Sequence, residues 1–244
     1  MLAKKGALGT SGIPVRRAGE HRVRQPHLKN LWLLFAVSVS VSGCGRAVET
    51  IRADLGLRPA PESQTSPLSE RLPQVPAPAL RPGDSYVFRF PNGVEQTETV
   101  TAVSGDRVSW RIPSGATWTT VSGTMFNTSE WSGSTGYGDG RQRFSGNYAD
   151  LFPLRVGNVA RYVARGQSSK QHGAWTHSWI CTVPSEESVT VVAGTFDTYR
   201  VMCYRSGQLR TYFYAPAVNM YVLRVVTGAD PGRKELVSYR VGGR

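Results

Sequence analysis

The chain has 244 residues, with 29 Lys and Arg against 17 Asp and Glu and a formal charge of +12. Its 40% hydrophobic and 10% aromatic content excludes a wholly disordered chain. No run reaches the ~18–20 consecutive apolar residues of a spanning helix, which excludes a polytopic helical membrane protein.

The first informative segment starts at Leu31-Trp32-Leu33-Leu34-Phe35 and leaves its apolar run at Ser42-Gly43-Cys44. At about a dozen apolar residues it is too short to span a bilayer and the right length for a signal-peptide core. Lys4, Lys5, Arg16, Arg17, Arg22, Arg24 and Lys29 precede it against a single acid, Glu20. A positive flank, a short apolar run and a small-residue exit predict a secretory signal over residues 1–43.

Val41-Ser42-Gly43-Cys44 resembles the lipobox of bacterial lipoproteins, an aliphatic residue and two small residues before an obligatory cysteine. The resemblance implies that Cys44 becomes a lipidated N-terminus, with diacylglycerol on its sulfur and an acyl chain on its amine. Two or more acyl chains, at ~0.8 kcal/mol per buried CH₂, make a stable anchor. Gly45 stands where Asp would signal inner-membrane retention, so the same resemblance implies an outer-membrane lipoprotein facing the periplasm. About 30 residues before the apolar run is a long basic region. It is either genuine or over-extended by the assigned start, in which case a start near Val23 leaves Arg24–Lys29 as the basic flank.

Seven cations and one anion fall in residues 1–43, and 22 cations and 16 anions follow Cys44. Half of the excess charge therefore belongs to an export signal, and no nucleic-acid partner is expected. Residues 44–83 read as a lipid-anchored linker. Val48, Ile51 and Leu55 have the spacing of one short helix, marginal alone. Pro59, Pro61, Pro67, Pro73, Pro76, Pro78 and Pro82 then predict an extended spacer.

From residue 84 to 244 the texture is that of an all-β domain. Tyr86, Phe88 and Phe90 alternate with smaller or polar residues, and Asn92-Gly93 is a hairpin signal. Val94–Val103, Val108–Ile112 and Trp118–Phe126 predict three more strands. Residues 127–150, dense in Gly, Ser and aromatics, read as a long Gly-rich loop. Gly136-Tyr137-Gly138-Asp139-Gly140 lacks the preceding strand and following helix of a phosphate-cradling loop. Val159–Ala164, Trp175–Val183, Ser188–Val192, Tyr199–Arg205, Leu209–Tyr214, Met220–Val226 and Leu236–Val241 complete the predicted strands.

Assigning Cys44 to lipid leaves Cys181 and Cys203 for each other, and an oxidising periplasm favours a disulfide. The mature chain keeps two histidines, His172 and His177, which point to opposite faces of an extended strand and cannot share a metal that way. No hydrolase, metalloprotease or nucleotide-binding motif is present, and Asp150, Glu186, Glu187 and Asp197 sit near turns. The expectation is a non-enzymatic protein without cofactor or metal. Tyr212-Phe213-Tyr214 places rings on both faces of one strand, so that strand is either covered on both sides or lines a ligand groove.

Val189–Val201, with its Ala193-Gly194-Thr195-Phe196 turn, Tyr212-Phe213-Tyr214-Ala215-Pro216 and Glu235-Leu236-Val237-Ser238-Tyr239 together resemble a signature of uncharacterised bacterial envelope domains. Phe152–Gly157 fits the opening strand of that group. The resemblance implies an antiparallel, strongly curved sheet, an open half-barrel akin to periplasmic lipoprotein carriers. It implies no activity. The expected function is a membrane-anchored periplasmic lipoprotein whose β-domain binds an apolar ligand or a protein partner. The alternative is a structural envelope protein that holds peptidoglycan or lipopolysaccharide through its arginines, 20 of which follow Cys44 against 2 lysines.

Overall fold

The computed structural model describes residues 63–134 and 136–242. The signal, Cys44 and the first part of the linker lie outside the described residues. The strands are β1 (Gln64–Pro67), β2 (Ser85–Arg89), β3 (Glu95–Ser104), β4 (Arg107–Arg111), β5 (Thr117–Val121), β6 (Asn127–Ser134) and β7 (Gly138–Gly146). They continue as β8 (Val159–Ser168), β9 (Trp175–Val191), β10 (Gly194–Arg205), β11 (Gln208–Ala215), β12 (Met220–Gly228) and β13 (Gly232–Arg240).

From β2 to β13 each strand pairs antiparallel with its neighbours in the chain, and β13 also pairs with β2 through Glu235↔Arg89 and Tyr239↔Tyr86. Twelve strands thus close into a barrel, where the sequence suggested an open half-barrel. Closure removes both sheet edges, which an open sheet would leave with unpaired backbone groups. Local sequence carries no signal for it, because the closing pair joins residues about 150 positions apart.

Two further expectations are corrected. Residues 127–150 form β6, β7 and a 3-10 turn at Tyr148–Leu151 rather than a loop. Gly and Ser hide the alternation there, but the ladder is continuous, with Glu130↔Arg141 and Phe144↔Ala164 among its pairs. The predicted strands Trp175–Val183 and Ser188–Val192 are one strand, β9. Pro184 lies inside it where β8 has ended at Thr182, β1 has not begun at Glu187, and the β10 register shifts. Its missing N–H therefore breaks no ladder bond.

The far half of β9 would be a bare edge beyond β8. β1 covers it, Gln64 opposite Thr190 and Pro67 opposite Glu187. The chain then stays on the barrel through much of the Pro-rich stretch read as a spacer. Tyr199 donates its hydroxyl to the Pro73 carbonyl at 2.6 Å, Val75 and Leu154 exchange backbone bonds, and Leu80 is buried.

The two barrel ends differ in their connections. At one end the strands are joined through 3-10 turns at Ser122–Thr124, Tyr148–Leu151 and Pro216–Val218. Met125, Leu151, Leu154 and Val218 from these connections are fully buried and plug that end. Tyr86 donates its hydroxyl to the Val218 carbonyl at 2.9 Å, tying plug to wall. At the other end the strands turn tightly, as at Asn92-Gly93, where Gly93 takes φ 79° and Phe90 and Val94 close the hairpin.

Between the ends runs an aromatic layer. Trp110 packs on Tyr86, Trp118 and Phe126, and Tyr221 on Phe88, Phe126 and Tyr212. Cys181 and Cys203 are direct cross-strand partners on β9 and β10, both fully buried, with their sulfurs 2.06 Å apart.

Candidate functional site: a basic, aromatic-lined barrel mouth

Strand periodicity puts an unusual set of side chains inside the tight-turn end. On β10, Tyr199, Val201 and Cys203 are buried on one face, and Arg205 is the next residue on it. On β11 the same face carries Gln208, Arg210, Tyr212 and Tyr214. Across the ladder Tyr212 faces Arg224, and Arg224 faces Lys234. Four cations from four successive strands therefore point into the barrel.

Lys234 is neutralised. Its ammonium donates to Glu98 at 2.5 Å and to the Tyr221 hydroxyl at 3.1 Å, and lies 4.2 Å over the Phe88 ring. Arg205, Arg210 and Arg224 form no salt bridge with any described carboxylate. Neutral groups hold two of them. Arg210 donates to Asn127 Oδ1 at 2.8 Å and Gln208 Oε1 at 2.9 Å, and Arg205 donates to the same Gln208 oxygen at 3.0 Å. Both guanidinium groups lie over the buried Trp179 ring, at 4.8 Å for Arg210 and 5.6 Å for Arg205. Cation–π contact of this kind contributes on the order of 0.5–2 kcal/mol.

Gln208 and Asn127 are themselves fixed. Gln208 donates to the Ala229 carbonyl at 2.6 Å, and Asn127 to the Tyr162 hydroxyl at 2.5 Å and the Thr124 carbonyl at 3.0 Å. Burial, opposed only in part by Arg210 and Asn127, pushes the Tyr162 hydroxyl far above its ordinary pKa, so it remains a neutral partner. Arg224 is different. Its Nε is buried without a hydrogen-bond partner among the described residues, and its guanidinium lies 5.9 Å from the Tyr221 ring. Burial works against its charge, but Tyr221, Tyr212, Glu98 and Tyr137 outweigh it and raise its pKa, so it stays protonated. An uncompensated donor of this kind costs on the order of 1–3 kcal/mol.

The field of the cluster reaches its neighbours. Burial first, then repulsion from Arg210, lowers the Arg205 pKa. His177, two residues before Trp179 on the inner face of β9, has its pKa lowered by burial and then by Arg205 and Arg210. On the wall beyond His177, Trp175 stacks on Trp131 with centroids 6.1 Å apart. These indoles lie flat because Gly166 and Gly140 beneath them lack a Cβ, which each ring would otherwise strike.

Chemically, this arrangement suits anions. Arg forks match carboxylate and phosphate in two-pronged fashion, and a low-dielectric barrel wall strengthens the attraction. Among the described residues, no three His, Cys, Asp or Glu side chains come together to hold a metal ion.

The residues singled out from sequence are dispersed. Tyr212, Phe213 and Tyr214 retain 2, 7 and 0% of their surface, so both faces of β11 are covered there and no ligand groove opens at them. His172 is exposed in the β8–β9 loop while His177 joins the mouth. Asp150 and Asp197 are exposed, Glu187 pairs with Arg200 at 3.2 Å, and Glu186 accepts the Leu72 N–H. From sequence the arginines after Cys44 were weighed only together, as a surface for peptidoglycan or lipopolysaccharide. The signal that marks them is parity: Arg205 and Arg210 continue inward-facing runs that include Cys203 and Tyr212.

No protein-family model and no curated protein matches the sequence. Among solved structures, the chain is similar to the hypothetical lipoprotein YmcC from Escherichia coli at 9% identity and a TM-score of 0.44, over 79% of this chain and 96% of that one. A Bacteroides fragilis protein described as exported, with a YmcC-like fold, matches at 13% identity and a TM-score of 0.39, over 68% and 99%.

Proposed function

We propose that this is a lipid-anchored protein of the bacterial envelope whose barrel mouth binds an anionic ligand bearing phosphate or carboxylate groups. Three inward arginines without a described carboxylate partner carry this reading. Keeping them costs stability, and an anion would supply the missing partner. Phosphates of lipopolysaccharide and carboxylates of peptidoglycan have the required chemistry, and an apolar ligand would leave the arginines unsatisfied. The lipobox at Val41–Cys44 and the leader before it support anchoring through Cys44.

Calorimetric titration of the full chain with inorganic pyrophosphate tests the mouth. Arg205→Ala combined with Arg210→Ala is expected to weaken binding at least tenfold, and raised salt to weaken it in the parent. Unchanged affinity in the double variant would remove the proposal. Mass spectrometry of membrane-extracted protein tests the anchor: a chain that starts before Cys44 and carries no lipid contradicts it.

A further inference from the structure

The inner face of the mouth extends past its arginines. Trp175, His177 and Trp179 are alternate residues of β9 and share that face, and Trp179 is the ring over which Arg205 and Arg210 lie. At a rise of ~3.4 Å per residue, Trp175 stands roughly 14 Å farther out along the strand than Trp179. There it joins an arc of indoles. The registers read Trp110↔Trp118, Trp118↔Trp131 and Trp131↔Gly140, so these rings line the inner face of β4, β5 and β6. Trp118 stacks on Trp110 at 6.2 Å with 8° between the planes, and Trp131 stacks on Trp175. Trp110 is buried, whereas Trp118, Trp131 and Trp175 are half-buried and retain exposed ring surface.

Polar groups fill the interval. His177 lies between the two tryptophans of β9, and Gln142 stands beside Trp175 through the pairs Gln142↔Gly166 and Gly166↔Trp175. Both side chains are half-buried, and neither adds charge at neutral pH. The wall therefore changes in character along its length: guanidinium groups at the Trp179 level, neutral hydrogen-bonding groups next, and flat rings outermost. A sugar phosphate has the same sequence of chemistries. Its phosphate suits the arginine forks, its hydroxyls an amide and an imidazole, and its apolar C–H faces the indoles. An alkyl chain would cover Gln142 and His177 without a hydrogen bond.

We propose that the mouth binds a phosphorylated saccharide chain, its phosphate at Arg205 and Arg210 and its sugar rings on the indoles of Trp131 and Trp175. This assignment rests on the reading of the mouth as an anion site and names what the anion is attached to.

Calorimetric titration of the full chain with maltose 1-phosphate, phenyl phosphate and methyl phosphate tests it, with inorganic pyrophosphate as the reference anion. Maltose 1-phosphate is expected to bind at least tenfold tighter than methyl phosphate, which has no ring, and at least threefold tighter than phenyl phosphate. Trp175→Leu keeps apolar bulk without a flat ring. It should bring maltose 1-phosphate to within twofold of methyl phosphate, with pyrophosphate affinity within twofold of the parent. Equal affinities for maltose 1-phosphate and methyl phosphate in a chain that binds pyrophosphate overturn the sugar assignment and leave the anion site standing. Phenyl phosphate binding as tightly as maltose 1-phosphate overturns it as well, and so does an unchanged preference in folded Trp175→Leu. Absence of any pyrophosphate binding removes the anion site and this assignment with it. The comparison of probes on the parent chain needs no variant, so it decides the matter should Trp175→Leu fail to fold.

Discussion

The plugged end and the mouth of this barrel are made from the same alternating strands, yet their interiors are of opposite kinds. At the plug, Met125, Leu151, Leu154 and Val218 lose all contact with solvent, and Tyr86 satisfies the Val218 carbonyl. At the mouth, Arg205, Arg210 and Arg224 stand without described salt bridges; the first two lie over Trp179 and donate to the amides of Gln208 and Asn127, and Arg224 keeps an unpartnered Nε. One end is arranged for stability and the other carries a standing cost. Such a division is what a binding site on a rigid scaffold requires, because the charge must be held in place before the ligand arrives.

Mutations should separate the two ends. Leu151→Ala opens a cavity in the plug and is expected to destabilise by about 2–5 kcal/mol in denaturant unfolding, with pyrophosphate affinity within twofold of the parent. A parallel loss of affinity would show that the ends are coupled. Arg224→Met should act in the opposite sense. It removes the orphaned Nε–H and a buried charge while keeping apolar bulk, so stability should rise by about 1–3 kcal/mol as anion binding falls. A loss of stability would mean that Arg224 is structural.

The smallest effect concerns His177. Because its folded pKa lies below the unfolded value of 6.5, it adds no penalty well above pH 6.5. The native state loses stability as pH falls through 6.5, where the unfolded chain takes up the proton first. An anion held by Arg205 and Arg210 cancels the repulsion that helps lower this pKa. NMR titration should therefore show the His177 pKa rising when pyrophosphate is bound, and no rise would place the anion elsewhere.

The sequence was legible wherever the information is local. Alternation of Tyr86 and Phe88, the Asn92-Gly93 turn and the Val- and Tyr-rich runs of the second half all mark strands that are present. Cys181 and Cys203 were paired by elimination, and the register sets them opposite each other. Reading failed where Gly serves tryptophan. Gly140 is a sign of a loop in sequence, but in the sheet it is the floor beneath the Trp131 ring. It failed again at Pro184, a strand breaker by chemistry that falls between the β8 and β1 ladders and at the shift of the β10 register.

By itself, then, the sequence determined a β-rich chain with Cys181 and Cys203 on separate strands, since alternation and spacing along the chain encode these directly; the leader and the lipobox stand as expectations from its N-terminal segment. Only the tertiary structure decided that the sheet closes and that β1 caps a strand edge. It also decided that three arginines scattered over twenty positions meet without a described carboxylate partner. Those facts rest on contacts between distant residues. Parity along a strand says that Arg205 and Arg210 share a face with buried residues. Barrel closure makes that face an interior, and so gathers into one mouth cations that an open sheet would leave to solvent.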